Sequence, residues 1–371
     1  MKKIHILHIS EFGGHSKAAQ NLKEALFYKS TNIDVFTHNS LGYLYPRGEK
    51  VLDFFYTITI KHFPNIWRKA YDRDKVIKTL TPTRSLINRL SFKKLGKLIT
   101  LYNPDCFVAT QAFPCGLVGD FKREKGLETP LVAVVTDYHP HRFWVHSYVD
   151  KYVVACQQAR DSLIAEGVEP KKIKVLGIPI SVKFLTTYPK EQISKELGFA
   201  NDLSSVLIMG GGLGIGPIET IAKKLDSLEH NFQIIVVCGR NKKLYDWFVK
   251  KKKKFKKPIF VFSYIDQIYK IMDFSDMIIT KAGGITISEA LAKGMCIIVT
   301  NPIPGQEDRN VEYLLKKQAV IQADKATKIG EVVDALLRDK KKMYSLRERA
   351  KDNSFIDSSL RIVDLIFELI S

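Results

Sequence analysis

Three groups of residues in this chain have the types and spacing for chemistry. His15 directly follows Gly13-Gly14, at the end of an apolar N-terminal run. A double glycine lets the backbone turn tightly and approach a ligand closely. At the mouth of a helix the dipole lowers a histidine's pKa and favours the neutral imidazole that a general base must be. The second group is Lys281-Ala282-Gly283-Gly284 with Thr286 and Glu289, between the apolar run Met277-Ile278-Ile279 and a helix-periodic segment ending at Lys293. A helix start of this kind offers backbone N–H donors and partial positive charge to a phosphate or to sugar hydroxyls. Glu289 lies about one turn inside, where a carboxylate accepts two hydrogen bonds from a vicinal diol such as a ribose. Beyond the next strand, 296–300, the loop Pro304-Gly305-Gln306-Glu307 carries two adjacent polar side chains, with Asn310 following. The third group is Gly210-Gly211-Gly212-Leu213-Gly214-Ile215-Gly216, five glycines in seven residues before a helix expected over 218–228. Its row of N–H groups is a cradle for a pyrophosphate. It is not the dinucleotide fingerprint, because the next strand, 234–238, runs into Gly239-Arg240-Asn241 with no acidic residue.

Elements of an α/β sheet must position these groups. Residues 2–9 read as a first strand rather than a signal peptide, since the apolar stretch is short and broken by His5 and His8. A helix over 17–28 follows, with Ala18, Leu22, Ala25 and Leu26 at helical spacing. Strands are expected at 34–37, 105–110, 131–136, 152–155 and 174–176, and after the connector at 205–209, 234–238, 259–262, 277–279, 296–300 and 319–322. Ligands of open α/β sheets bind at the carboxyl ends of strands, which is where all three groups fall.

The chain has 371 residues, enough for two domains with separate cores. Its formal charge of +19 attracts polyanions: nucleic acid, an anionic membrane face or a phosphorylated substrate. Nothing resembles a nucleic-acid-binding module. No run of 18 or more uncharged apolar residues exists to span a bilayer. Five cysteines, Cys106, Cys115, Cys156, Cys238 and Cys296, are scattered without metal spacing and fit packed, reduced thiols. Two stretches suit an anionic leaflet. The aromatic run 51–60 leads into 61–97, where eleven basic residues meet two acidic ones among Phe63, Ile66, Trp67 and Tyr71. Residues 250–257 hold seven lysines in eight positions at the end of a helix with Trp247 and Phe248. Both stretches also read as ordinary solvated faces.

Residues 136–146 gather Asp137, His139, His141, Trp144 and His146. His139 and His141 have spacing for a shared zinc, but no HExxH or CxxC pattern supplies further ligands. No metal is expected.

These motifs resemble those of the diacylglycerol glycosyltransferases, the monogalactosyldiacylglycerol synthases and processive diacylglycerol glucosyltransferases, and more distantly the transferase that makes lipid II. The resemblance rests on Lys281-Ala282-Gly283-Gly284, Thr286, Glu289-Ala290, Gly294, Pro304-Gly305-Gln306-Glu307 and Asn310. It extends to Gly13-Gly14-His15 and to Thr136-Asp137, His141, Trp144 and His146. Phe12 stands where relatives commonly have a third glycine, and Met295-Cys296 where they often have an apolar residue and proline. The resemblance implies the α/β GT-B class, two facing Rossmann-like domains with parallel sheets and an interdomain cleft. Residues 1–182 form the acceptor and membrane domain, with an insertion over 40–97. Residues 183–203 are the linker, 204–353 bind the donor, and 354–371 form a helix returning to the first domain through Ile356, Leu360, Val363, Phe367 and Ile370.

The activity so implied is inverting transfer of a glucose or galactose from a UDP-sugar to 1,2-diacylglycerol, without metal or other cofactor. Glu289 is expected to hold the ribose, and the Gly210–Gly216 loop, with Gly211, Gly212 and Gly214, together with Gly284 and its helix start, the pyrophosphate; Lys281, Gly283 and Thr286 are further donor-binding candidates. Gln306 and Glu307 would take the sugar hydroxyls, with Asn310 beside them. Arg240 and Tyr264 fall on loops at the strand ends, the latter flanking the base. His15 is the first choice of base and Asp137 the second. Gly14, Gln111, His139, His141, Trp144 and His146 are placed on the acceptor side. The expected setting is the cytoplasmic face of the cell membrane, with an anionic surface and no nucleic acid as partners. Two rival readings are a UDP-N-acetylglucosamine transferase acting on a prenyl-pyrophosphate-linked sugar, and a non-catalytic nucleotide-sugar or lipid sensor.

Overall fold

Runs of Ile, Val and Leu too short for helices make the strands, and their burial on both faces makes them parallel. The computed structural model describes residues 1–10, 13–45, 91–303, 305–323 and 325–371. The aromatic run 51–60, most of 61–97 and Phe12 lie outside the described residues. The chain divides into two units, one made of Met1–Val182, Pro304–Gln306 and Asp357–Ser371, the other of Lys183–Ile303 and Glu307–Ile356.

In the first unit six parallel strands lie in the order β2-β1-β3-β4-β5-β6. They are β1 (Lys2–His8), β2 (Ile33–Asn39), β3 (Cys106–Ala109), β4 (Leu131–Val134), β5 (Lys151–Val154) and β6 (Ile173–Val175). Ile4 sits between Val35 and Cys106, and Ile6 between Thr37 and Val108. Four successive residues of β1, from Ile4 to Leu7, are buried, as a central strand requires. The order reverses at β1, whose neighbours are β2 and β3, so the segments after β1 and β3 leave adjacent strand ends. Helices Gly14–Lys29, Ala112–Lys125 and Gln157–Ala165 connect the strands, and residues 91–102 are helical.

The helix Ser358–Ile370 packs on this sheet and on the helix Gly14–Lys29, its Ile362, Val363, Leu365 and Ile366 entering the same core as Ile4, Leu22 and Val108. Its buried stripe is rotated from the one expected. Ile356 precedes the helix and is exposed, and Leu360 and Phe367 flank the stripe. The start of the helix explains the rotation. Ser358 Oγ donates to Ile178 O at 2.8 Å, and Ser359 Oγ to Ile180 O at 2.5 Å. These two serines therefore face inward, and the residues three and four positions on follow them.

Within β1 and β2, His5 Nε2 lies 2.7 Å from His38 Nδ1 among Tyr102, Phe36 and Phe107. Burial, and secondarily the neighbouring His38, lowers the His5 pKa to about 3. A histidine so depressed contributes stability fully above its unfolded value near 6.5 and loses it as pH falls toward 3. The expected result is a one-proton slope of about 1.4 kcal/mol per pH unit below pH 6.5. Urea midpoints of wild type and His5→Leu between pH 7 and pH 4 measure it; parallel loss in both proteins would refute the assignment.

The second unit repeats the architecture with strand order β12-β11-β10-β7-β8-β9, all parallel. Its strands are β7 (Ser204–Met209), β8 (Phe232–Val237), β9 (Ile259–Phe262), β10 (Met277–Thr280), β11 (Cys296–Thr300) and β12 (Val320–Ala323). β7 and β10 are neighbours, with Met209 beside Thr280. That pairing sets the glycine-rich turn after β7 next to the Lys281 turn after β10, although seventy residues separate them in sequence.

Residues 183–203, expected as a linker, belong to the second unit. Lys293 Nζ donates to Thr186 O at 2.6 Å and to Asp273 Oδ2 at 2.9 Å, and Asp273 also accepts the Tyr188 N–H at 3.1 Å. None of the five cysteines is in a disulfide and all are buried, and burial pushes the Cys238 and Cys296 thiols up to about 12.

Candidate functional site

His15 is in the first turn of the helix Gly14–Lys29, three residues earlier than the helix start expected from apolar spacing. The chain enters through Gly13 at φ 133°, a conformation that a side chain opposes. His15 is half-buried. Its Nδ1 lies 3.0 Å from the Thr110 carbonyl and 2.9 Å from Thr136 Oγ1. A carbonyl only accepts, so Nδ1 carries the proton and Nε2 keeps its lone pair. Thr110 also donates from its hydroxyl to the His15 carbonyl at 2.9 Å, gripping the residue at two points. Sequence reasoning missed Thr110, and it missed the contact of Thr136 with the histidine. Their signal is position, since Thr110 directly follows β3 and Thr136 lies two residues past the end of the adjacent β4.

Burial is the main cause that holds the His15 pKa below the ordinary value, with the nearby His8 adding to it. The charge of Asp137 and the hydrogen bond to Thr110 oppose the shift. The direction is the one expected, and desolvation is its leading cause. Asp137 is buried and follows Thr136, so its carboxylate acts on the same imidazole.

The remaining acceptor-side candidates separate. Gly14 is the first residue of the His15 helix. Gln111 caps the helix Ala112–Lys125, its Oε1 accepting the Phe113 N–H at 2.5 Å. His141 caps the short turn Arg142–Trp144, its Nδ1 accepting the Phe143 N–H at 3.2 Å. Trp144 is buried and His139 half-buried. His146 is held inside the unit: Nε2 lies 3.3 Å from Asp120 Oδ1, and Nδ1 accepts the Tyr148 N–H at 3.2 Å. Gly119 makes room for this ring, because a Cβ there would lie 2.4 Å from Nδ1. Both nitrogens of His146 are thus engaged within the unit. No group of three or more His, Cys, Asp or Glu among the described residues is arranged to hold a metal ion.

In the second unit the glycine-rich turn closes on itself. The Gly214 N–H donates to Gly211 O at 3.0 Å and the Ile215 N–H to Gly210 O at 3.1 Å. Two amides expected to face a ligand are thus engaged within the turn. Gly214 is irreplaceable on steric grounds: its φ is 59°, and a Cβ would lie 2.0 Å from the Cys238 carbonyl oxygen. The Arg240 N–H donates to Gly212 O at 2.9 Å, and the Arg240 guanidinium stacks 4.8 Å from the Tyr264 ring centroid. Gly211, Gly212, Arg240 and Tyr264 are therefore neighbours.

Gly283 caps the helix Gly284–Ala292 without a side-chain hydrogen bond to the cap. Thr286 and Glu289 are buried and three positions apart, on one helix face. Asn310 is wholly buried and donates from Nδ2 to the Ala282 carbonyl at 3.0 Å, so it shapes the Lys281 turn from behind. Gln306 and Glu307 open the helix Gln306–Lys316. Glu307 is buried, paired with Lys281 through Oε1, and accepts the Ile303 N–H on Oε2 at 2.8 Å.

The lysine run lies on the helix Lys242–Lys251 and the turn Lys252–Lys254. Phe248 is fully buried in the core of the second unit and Trp247 packs against that core under Lys223, so neither aromatic accompanies the lysines outward. Lys250, Lys252, Lys253, Lys254 and Lys256 are exposed, whereas Lys257 donates to Leu228 O and His230 O. No helix among the described residues is long and apolar enough to cross a membrane.

Residues 15–180 match the family model of monogalactosyldiacylglycerol (MGDG) synthase, and residues 205–364 that of the glycosyltransferase family 28 C-terminal domain. The chain is 30% identical to a processive diacylglycerol beta-glucosyltransferase of Bacillus pumilus (strain SAFR-032) over 99% of this chain and 95% of the relative. A protein of the same name from Bacillus subtilis (strain 168) is 28% identical with the same coverage. Among solved structures, MurG of Acinetobacter baumannii is similar with a TM-score of 0.65 at 15% identity, covering 99% of this chain and 100% of that one. MnaA of S. aureus in complex with UDP gives 0.65 at 16% identity, covering 99% and 96%. At these identities the structures establish the fold alone, α/β of the GT-B type as expected.

Proposed function

We propose, starting from a chain that belongs to the diacylglycerol glycosyltransferase family of MGDG synthases and processive diacylglycerol glucosyltransferases, that this protein transfers a hexose from a UDP-sugar to 1,2-diacylglycerol with inversion. The names of the relatives favour glucose and a β-linkage. The observation that carries the chemistry is the clasp on His15, whose Nδ1–H is directed at the Thr110 carbonyl. That leaves Nε2 to accept a proton. In the reaction the acceptor hydroxyl attacks the anomeric carbon while its proton passes to Nε2. The bond from that carbon to the diphosphate breaks, and UDP departs with the electron pair. Asp137 stabilises the imidazolium that forms, as a nearby carboxylate does.

The donor's nucleotide is assigned to the second unit, with Glu289 holding the ribose and the glycine turn with the start of Gly284–Ala292 facing the diphosphate. Fixed N–H dipoles stabilise the charge building on UDP without reorganising, so no metal is required of the protein. The formal charge of +19 and the exposed lysines after Val249 support a peripheral position on an anionic, cytoplasmic leaflet.

Purified protein mixed with UDP-glucose or UDP-galactose and diacylglycerol vesicles tests the reading. The expected product is a β-glycosyldiacylglycerol, formed faster from UDP-glucose. Tight UDP binding with no glycolipid from either sugar would instead favour a sensor. Flotation with neutral and anionic vesicles tests the membrane assignment, which equal recovery would remove.

A further inference from the structure

The adjacent residues Gln306 and Glu307 invite a shared role on the sugar hydroxyls, but Glu307 is placed for something else. It is 5% exposed, and both of its oxygens are engaged within the second unit, one by Lys281 and one by the Ile303 N–H. A carboxylate so enclosed has little surface left to offer a hexose. Its partner is differently situated. The Lys281 side chain is 19% exposed, and it fills the notch left where two glycines lack side chains. A Cβ on Gly211 would lie 3.6 Å from Lys281 Cε, and one on Gly283 would lie 3.2 Å from Lys281 Nζ. The ammonium is therefore fixed where the glycine turn after β7 meets the N-terminus of the helix Gly284–Ala292, the region assigned to the diphosphate.

We infer that Glu307 is a positioning residue, holding the Lys281 ammonium against the Gly211 and Gly283 backbone, and that Lys281 is the cation that receives the donor's diphosphate. This rests on the nucleotide-sugar reading above and changes the role of Glu307 within it. An ammonium has three donors and no acceptor. One N–H stays on Glu307 while the others turn to phosphate oxygens, so the ion pair need not break when the donor enters. A lysine on its flexible stem would otherwise have to be ordered at the moment of binding. The pairing also explains why glycine suits position 283, since a methyl group there crowds the ammonium.

Calorimetric titration of wild type, Lys281→Met and Glu307→Gln with uridine, UDP and UDP-glucose separates the roles. Lys281→Met is expected to weaken UDP at least tenfold while uridine affinity stays within twofold of wild type. Glu307→Gln keeps an acceptor for the Ile303 N–H. It is expected to change UDP affinity while the ratio of UDP to UDP-glucose affinity stays within twofold of wild type. If Glu307 held the sugar, UDP affinity would be untouched and that ratio would collapse; this result overturns the inference, as does unchanged UDP binding by Lys281→Met. Should Glu307→Gln fail to fold, Glu307→Asp is read by the same ratio. A wild-type protein that binds neither UDP nor UDP-glucose would instead refute the nucleotide-sugar reading.

Discussion

Replacing His15 with alanine lowers kcat by about 10²- to 10⁴-fold, the range that a positioned general base supplies, and leaves the donor KM within about twofold. The split follows from where the residue sits. His15 belongs to the first unit and contacts Thr110 and Thr136, whereas every group assigned to the nucleotide belongs to the second. The measurement is initial velocity against UDP-glucose concentration at saturating diacylglycerol. Turnover close to wild type would end the base assignment and leave Asp137 as the remaining choice. Because burial depresses the His15 pKa, the neutral imidazole predominates at pH 7. The acid limb of the kcat profile is therefore expected below pH 6.5, where an unperturbed histidine would already have lost half its basic form. Thr136→Val removes one contact to Nδ1 but leaves the Thr110 carbonyl in place, so it should lower kcat by less than His15→Ala.

Glu289→Ala raises the donor KM by about 10- to 100-fold with kcat retained within a few-fold. A hydrogen bond to a charged group contributes about 1.5–3 kcal/mol, and each 1.4 kcal/mol is a factor of ten. The ribose is remote from the bond that breaks, so its contacts are alike in ground and transition states and appear in KM. UDP titration gives an independent reading, since the ribose is present without the hexose. The loss on UDP should match the rise in KM. An effect confined to kcat would assign Glu289 to the chemical step and refute the ribose role. Glu289 is buried, so the melting temperature of the variant is measured alongside to separate lost binding from a loosened helix.

Much of the fold was legible because each of its signals is local. Apolar runs of four to six residues between polar turns mark the strands, and glycine pairs mark where they meet helices. Apolar spacing started the first helix at Lys17, whereas it begins at Gly14. Trp247 and Phe248 precede the lysines on one helix, and docking of that helix buries Phe248 in the core with Trp247 packed against it. His146 shares a motif with Asp137, and the fold turns its ring into Gly119 and Asp120. Periodicity identifies a helix but cannot fix the angle at which it docks. The two inward-facing serines at the head of Ser358–Ile370 set that angle for the last helix.

By itself the sequence determined two parallel α/β units, the glycine turns that open them, and the residue types from which a base, a ribose acceptor and a diphosphate cradle are made. Those features depend on neighbours a few positions apart. Tertiary structure alone decided which atoms of those residues are committed. Thr110 and Thr136 meet His15 because β3 and β4 are adjacent and β1 lies beside β3. Lys281 meets Glu307 across 26 residues and lies beside Gly211 because β10 pairs with β7. Strand order is fixed by burial summed over a whole sheet, and no window of sequence contains that sum.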